Sequence, residues 1–98
     1  MSVLPFYFSG TITSRDENDV LAECRCWIWR GGAGPTPVGQ GYDFSAVLKG
    51  NDVRDATERA QNRLLIAEDG VRYRITDAIW HPFLKYVEAR LRMAEPNG

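Results

Sequence analysis

Residues Arg63–Ile75 read Arg-Leu-Leu-Ile-Ala-Glu-Asp-Gly-Val-Arg-Tyr-Arg-Ile. Two runs of apolar and polar residues flank the pair Asp69-Gly70, and such a pair between two such runs is a strong short-range signal for a β-hairpin. The segment therefore predicts an antiparallel ribbon in the C-terminal half. With a two-residue turn at this pair, the expected cross-strand neighbours are Ile66 with Tyr73 and Leu64 with Ile75.

Two further strands are predicted before this hairpin. Residues 3–14 alternate with period two and are rich in aromatic and β-branched side chains. A polar cluster of turn-forming residues follows at Arg15–Asp19, and residues 20–29 then alternate again. This pattern predicts that the second strand pairs back on the first.

The second strand carries two cysteines and two tryptophans on opposite faces. Cys24 and Cys26 are expected to face the core as reduced thiols, because two cysteines at this spacing on one strand are badly placed for a disulfide. Trp27 and Trp29 then point the other way. A second layer or a partner has to cover these two large rings.

The remaining elements are shorter, and the last of them fits two types of secondary structure. Residues 42–49 predict a short third strand, and residues 51–62 change to helical spacing, with Asn51 or Asp52 able to cap a short helix. After an interruption at Trp80–Pro82, residues 83–93 alternate with period two, which favours a last strand, although their composition also suits a helix. The pattern as a whole predicts a mainly β protein, a small antiparallel β barrel with one short helix and a long glycine-rich loop.

Length and charge restrict the function classes. The chain of 98 residues has room for one domain, and a formal net charge of −1 argues against a general polyanion binder. Ten of its twelve cations are arginines, which suit planar contacts to carboxylate or phosphate; biased genome composition is the alternative explanation. We found no leader-like N-terminus and no run of 18 apolar residues, so no membrane association is expected.

Residues 31–41 form the glycine-rich loop, expected to be flexible. Loops of this length often order on contact with a partner, although a spacer is an equally good interpretation. Its glycines are Gly31, Gly32, Gly34, Gly39 and Gly41. A phosphate-binding loop needs a Lys-Ser/Thr after its last glycine, and Tyr42 stands there instead.

The sequence gives only weak evidence for a metal site or for acid–base catalysis. The two cysteines are too few for a closed zinc site, and the single histidine, His81, has only Asp77 near it in sequence as a partner. We therefore expect no cofactor, no metal and no enzymatic activity.

Nucleic-acid binding is a more substantial alternative. The four arginines Arg72, Arg74, Arg90 and Arg92 share one face if the last two strands pair. Together with Trp27 and Trp29 as stacking surfaces, they are typical of OB-like binders of single strands. The net acidic charge, and Glu88 within the same arginine stripe, oppose this interpretation.

Several segments of the second half carry a family resemblance. They are Asn51–Ala56, Arg63–Ile66, Asp69–Ile75, Trp80–Pro82 and Val87–Arg92. Together they resemble the head-completion proteins of long-tailed phages, also called stopper or head-tail joining proteins. The central motif is a Leu/Ile run followed by Asp-Gly and then an Arg-Tyr-x-Ile strand.

The resemblance implies a structural role without catalysis. It implies a ring of identical subunits below the portal and its adaptor, which closes the DNA exit, docks the tail and contacts packaged DNA. Such a subunit resides in the host cytoplasm during assembly and then in the virion neck. Trp27, Trp29 and the arginine face are then expected at subunit or partner interfaces, and the loop 31–41 reaches a neighbour or the channel.

Overall fold

Six antiparallel strands form a closed barrel in the computed structural model, which describes residues 8–30 and 44–94. The strands are β1 (Phe8–Ser14), β2 (Val20–Arg30), β3 (Phe44–Lys49), β4 (Arg63–Ala67), β5 (Arg72–His81) and β6 (Tyr86–Met93). Their order around the barrel is β1-β2-β3-β6-β5-β4, and β4 pairs with β1 to close it. The predicted mainly β barrel is confirmed. The glycine-rich loop lies outside the described residues.

Alternation along the strands fills the barrel interior, because successive side chains on a strand point to opposite faces. Every strand contributes at least one buried apolar side chain to the interior. The largest fully buried side chains are Ile12, Leu48, Leu65, Ile75, Leu91, Val53, Val87 and Cys26. Cys24 and Cys26 are both buried and free, as the sequence predicted.

The connection between β3 and β4 contains the predicted helix, but in a much shorter form. The α-helix α1 spans only Val53–Ala56, and a 3₁₀ turn follows at Ala60–Asn62. The Thr57 hydroxyl donates to the carbonyl oxygens of Val53 at 2.9 Å and Arg54 at 3.2 Å. Such side-chain bonds compete with the helical ladder, so the prediction of one helix over residues 51–62 was too long. Asp52 holds the N-cap position without a side-chain cap bond.

The β4–β5 hairpin has a different register from the predicted one. Leu65 lies opposite Tyr73, and Leu64 lies opposite Arg74. The reason is a three-residue loop: the Ala67 amide donates to the Val71 carbonyl at 2.9 Å, and Gly70 has a φ of 90°. A type I turn followed by a left-handed glycine adds one residue to the loop, and this shifts every pair by one.

Gly70 is therefore expected to be important for the hairpin. A Cβ added there would meet no atom within 4 Å, so the cost of a substitution is purely conformational. Gly70→Val should lower the free energy of unfolding by about 1–2 kcal/mol. Gly70→Asn should lower it by less, because asparagine tolerates positive φ. Urea unfolding of the two variants measures the difference. Equal losses for both would contradict a left-handed requirement.

The last segment is a strand, as favoured from the sequence, and it pairs with β5. The predicted interruption at Trp80–Pro82 is in part wrong, because β5 continues through Trp80 to His81. The turn comprises residues 82–85, and the Lys85 amide donates to the His81 carbonyl at 2.7 Å. The Arg54 guanidinium lies 5.3 Å from the centre of the Trp80 ring, which joins α1 to β5 by a cation–π contact.

The β1–β2 turn is organised by one carboxylate. Asp16 Oδ1 accepts hydrogen bonds from the Ser14 hydroxyl at 2.7 Å and the Asn18 amide at 3.1 Å. These bonds favour the charged form, and the Ser14 bond, followed by the Asn18 bond, lowers the pKa of Asp16 below its ordinary value.

The lowered pKa of Asp16 predicts a pH dependence of stability. A carboxyl whose folded pKa is depressed stabilises the fold above its ordinary pKa, about 3.9, and loses this contribution as pH falls toward the folded value. Asp16→Asn keeps an acceptor oxygen but does not titrate. The fall in thermal midpoint between pH 6 and pH 3 should therefore be smaller in Asp16→Asn than in the wild type. An unchanged fall would show that the turn does not contribute to acid sensitivity.

Candidate functional site

The two tryptophans of β2 lie on the outside of the barrel, as predicted. Their ring centroids are 5.2 Å apart with an interplanar angle of 51°. Trp27 is half-buried, whereas Trp29 is 39% exposed. The pair therefore presents aromatic surface to the outside while packing against itself.

Register places the tryptophans at one edge of a larger surface. On the outside of β2, β3, β6 and β5, one row contains Trp27, Val47, Glu88 and Ile79, and the next contains Trp29, Ser45, Arg90 and Asp77. We call these eight side chains the outer sheet face. Ile79 is 41% exposed, so this face carries exposed apolar groups at both edges.

The polar side chains on the outer sheet face, together with the neighbouring His81, are arranged in pairs. Arg90 Nη1 lies 3.1 Å from Asp77 Oδ2, and His81 Nε2 lies 2.9 Å from Glu88 Oε1. The His81 ring also stacks on Tyr86 with centroids 4.6 Å apart. The sequence suggested Asp77 as the partner of His81, but this is wrong, because β5–β6 pairing brings Glu88 to the histidine and Arg90 to the aspartate.

All four predicted arginines lie on the outside of β5 and β6, and Arg74 is directly opposite Arg92. Their charges are partly neutralised. Arg72 Nε lies 2.9 Å from both carboxylate oxygens of Glu17, a residue of the β1–β2 turn. Since Arg72 and Arg90 both contact carboxylates, the arginine face is less cationic than the sequence pattern indicates.

The two buried thiols lie next to Gly10 on β1. A Cβ at Gly10 would stand 2.8 Å from the Cys26 sulfur and 3.4 Å from the Cys24 sulfur. A hydrogen bond with Cys24, followed by burial, raises the pKa of the Cys26 thiol. Residues 8–30 and 44–94 contain no group of three or more metal-ligating side chains. Cys24 and Cys26 pack in the hydrophobic core of the barrel, as small apolar cysteines commonly do.

The turn between β5 and β6 exposes apolar side chains that sequence reasoning missed. Phe83 is 93% exposed and Leu84 is 61% exposed. We call residues 82–85 the hairpin tip. The sequence interpretation assigned Phe83 and Leu84 to the last strand, and the available signal was Pro82, since proline commonly begins a turn.

The five glycines named as candidate loop residues lie outside the described part of the chain. Within the described part, no helix is long and apolar enough to cross a bilayer. Comparisons of the chain with protein-family models, curated proteins and solved structures return no match. The surfaces described above are therefore the basis for a functional proposal.

Proposed function

We propose that this protein is a structural assembly protein of a long-tailed phage, a subunit of the head-tail joining or stopper ring that closes the DNA exit and docks the tail. It has no catalytic role. The resemblance of residues 51–92 to head-completion proteins suggests the phage role, and the structural observation that supports an assembly role is the apolar surface on the outside of a small, filled barrel. Trp29, Ile79, Phe83 and Leu84 are all more than one-third exposed.

The exposed apolar side chains lie in two places: Trp29 and Ile79 at opposite edges of the outer sheet face, and Phe83 with Leu84 at the hairpin tip. Single exposed hydrophobics are common, but aromatic and aliphatic groups gathered on one face usually mark an interaction site. The outer sheet face adds the Arg90–Asp77 ion pair, and the neighbouring His81 contacts its Glu88, a mixture of polar and apolar groups typical of protein interfaces. A closed barrel also has no long open sheet edge, so copies join through side chains rather than by extending the sheet.

The proposal is tested by binding to portal–adaptor complexes made from the portal and adaptor genes of the same genome. Light scattering of the isolated chain is a poor substitute, because such rings form on their scaffold. We expect the wild-type chain to co-sediment with the complex and to complete filled particles. Absence of binding, or neighbouring reading frames that encode no portal and no tail proteins, would contradict the proposal.

A matched set of variants locates the surface. Trp29→Ser combined with Ile79→Ser removes exposed apolar groups from the outer sheet face, whereas Val20→Ser removes one that is 65% exposed at the start of β2. Truncation of interface anchors commonly costs about 2 kcal/mol or more, so the double variant should bind at least about tenfold more weakly. Val20→Ser should bind as the wild type does. Equal weakening in both would assign the effect to general destabilisation.

The glycine-rich loop has its own test within the same proposal. We propose that residues 31–41 reach a neighbouring subunit or the channel, which follows from the loop's length and composition. Deletion of residues 32–40 should then give particles that lose DNA or fail to attach tails. Recovery of filled, tail-competent particles from the deletion would show that the loop is a spacer.

One observation favours a second candidate, an OB-like module that binds single-stranded nucleic acid. Arg25 and Lys49 lie opposite each other on the outside of β2 and β3, and Trp27 and Trp29 follow on the same face of β2. Cations beside exposed aromatic rings suit a phosphate backbone with stacked bases.

A fluorescence titration separates the two candidates. If nucleic acid binds, oligonucleotides should quench the tryptophan emission, and the affinity should fall steeply with salt because binding releases counterions. Lys49→Gln should reduce the salt slope, whereas Lys85→Gln, at the hairpin tip, should leave it unchanged. No quenching at low salt would remove this candidate.

A further inference from the structure

A concave polar surface lies where the β1–β2 turn meets the start of β4 and the middle of β5. One cavity, of about 550 Å³, is lined by Ser14, Arg15, Asp16, Asn62 and Arg63. A second cavity, of about 230 Å³, is lined by Arg15, Gln61, Arg74, Ile75 and Thr76. The two cavities adjoin at the Arg15 side chain, and we call their common surface the polar groove. Its walls belong to three described segments, residues 14–16, 61–63 and 74–76.

Strand pairing brings three arginines to the polar groove. Ser14 of β1 pairs with Arg63 of β4, and Arg15 is the next residue of the chain after Ser14. Leu64, the neighbour of Arg63, pairs with Arg74 of β5. Since adjacent strands lie about 4.8 Å apart, the backbone positions of the three arginines fall within a distance on the order of 10 Å. One extended ligand can therefore contact all three side chains.

The charges of these three arginines are not neutralised by ion pairs within the described residues. In the part of the chain that the structure describes, neither Arg15 nor Arg74 contacts a carboxylate. Arg63 donates to backbone carbonyl oxygens instead, from Nε to Ala56 at 2.7 Å and from Nη1 to Asn62 at 3.3 Å. The polar groove therefore presents cationic groups to solvent.

The two acidic residues that follow Arg15 in the turn are engaged with other partners. Glu17 accepts Arg72 Nε on both carboxylate oxygens at 2.9 Å. Asp16 is the one acidic residue among the described residues that line the groove, and it accepts the Ser14 hydroxyl and both side-chain and backbone nitrogens of Asn18. Three guanidinium groups thus stand against one carboxylate, so the groove is locally positive although the chain has a net charge of −1.

The other lining residues indicate which anion fits. Gln61 and Asn62 are exposed, and their amides belong with arginine to the side chains that commonly contact phosphate oxygens in nucleic-acid complexes. The one apolar residue among the described lining residues, Ile75, is fully buried, and none of these residues is aromatic. A protein partner usually contacts an apolar core, and a single strand usually stacks its bases on aromatic rings. A phosphate backbone needs neither of these features.

We propose that the polar groove binds the phosphodiester backbone of duplex DNA without reading its sequence. Arg15, Arg63 and Arg74 contact phosphate oxygens, which the planar guanidinium fork can bind in bidentate fashion. The proposed site goes beyond the proposed function, because it requires neither a portal nor a second copy of the chain. It also uses a different surface from the Trp27 and Trp29 pair.

Three phosphate contacts give weak binding that depends strongly on salt. On duplex DNA, the logarithm of the affinity falls with the logarithm of the salt concentration by about 0.9 per phosphate contact. Three contacts therefore predict a slope of about −2.7. Binding without sequence readout commonly has a Kd of about 10⁻⁴–10⁻⁶ M at physiological salt, so the complex is best measured at low salt.

Fluorescence anisotropy of a labelled DNA duplex, titrated with the full chain over a salt series, tests the site. Arg15→Gln combined with Arg74→Gln should weaken binding at low salt about tenfold or more and reduce the slope by about two, because two phosphate contacts are lost. Lys85→Gln removes one charge at the exposed hairpin tip and should bind as the wild type does. No binding of the wild type at low salt, or an unchanged slope in the double variant, would overturn the proposal.

Two further variants keep the test independent of folding. Arg15→Lys combined with Arg74→Lys retains both charges and should retain the slope, which a general loss of structure would not. Asp16→Asn keeps an acceptor oxygen but removes the negative charge of the groove, so it should tighten duplex binding by about two- to fivefold. Weaker binding of Asp16→Asn than of the wild type would contradict a phosphate ligand at this groove.

Competitors separate the possible sources of the anion. Displacement of the duplex by inorganic phosphate, but not by chloride at the same ionic strength, would assign the groove to a small phosphate ligand. Equal affinity for poly-glutamate would assign it to an acidic protein segment. Tryptophan quenching by the duplex with no effect of the arginine variants would move binding to the Trp27 and Trp29 surface. Each of these three results would overturn the proposal.

The outcomes also distinguish the polar groove from the proposed function. Portal–adaptor binding without duplex binding would leave the phage role in place and remove the groove as a DNA site. Duplex binding that depends on Arg15 and Arg74, without portal–adaptor binding, would establish the groove and remove the phage role.

Discussion

Leu91→Ala is expected to lower the free energy of unfolding by about 2–5 kcal/mol, the largest loss among the substitutions considered. Leu91 is fully buried on β6 and lies between Phe44 of β3 and Ile75 of β5. Truncation removes apolar contacts on both sides and leaves a cavity that six hydrogen-bonded strands cannot close by a small shift. For a domain with a total stability of about 5–15 kcal/mol, this is a large fraction.

Met93→Ala is the matched control for Leu91→Ala. Met93 stands two residues further along β6 and is 47% exposed, so its truncation should cost under about 1 kcal/mol. Chemical denaturation, with the denaturant slope compared among the three proteins, measures both losses. Similar losses for the two variants would mean that the barrel interior is not where the structure places it.

Gly10→Ala is expected to have the second-largest effect, a loss of about 1–3 kcal/mol from overpacking. A Cβ at Gly10 would stand 2.8 Å from the Cys26 sulfur and 3.1 Å from Leu65 Cδ1. Cys26 is fully buried and its thiol donates to the Phe8 carbonyl at 3.5 Å, so the sulfur has little room to rotate away. In an average strand the same substitution would be stabilising, because alanine loses less backbone entropy than glycine.

A double-mutant cycle tests whether the Cys26 sulfur causes the loss of stability in Gly10→Ala. Cys26→Ala removes the sulfur that meets the new methyl group, so Gly10→Ala should cost much less in a Cys26→Ala background than in the wild type. Urea unfolding of the four proteins gives the coupling energy. Additive losses would show that the strain at Gly10 comes from another neighbour.

Much of the candidate surface followed from the sequence. Alternation along β2 was enough to place Cys24 and Cys26 inside and Trp27 and Trp29 outside, because each residue of a regular strand reverses the direction of its side chain. The pairing of Arg72 with Glu17 was not predictable in this way. The two residues are distant in the chain and meet only because β1 and β4 close the barrel.

Local sequence patterns were least informative in the hairpin loops, where one extra residue changes the register of the strands. Asp69-Gly70 correctly marked a hairpin, but the loop length, and with it the partner of Tyr73, depended on whether one or two residues adopt positive φ. The hairpin tip shows the same problem. Phe83 continues an apolar pattern in the sequence, and only the turn at residues 82–85 places it in solvent.

By itself, the sequence determined the strands, the inward side chains of β2 and β6 and the small helix between β3 and β4, because period-two alternation and turn residues act over a few neighbouring positions. It did not determine the inward side chain of β4, where Leu65 lies opposite Tyr73. Tertiary structure alone decided the barrel closure, the ion pairs of Arg72 and Arg90, and the exposure of Phe83 and Leu84 at the hairpin tip. These features depend on which strands pair and in which register. Pairing and register are determined by the burial of apolar side chains from all six strands together, rather than by any one segment.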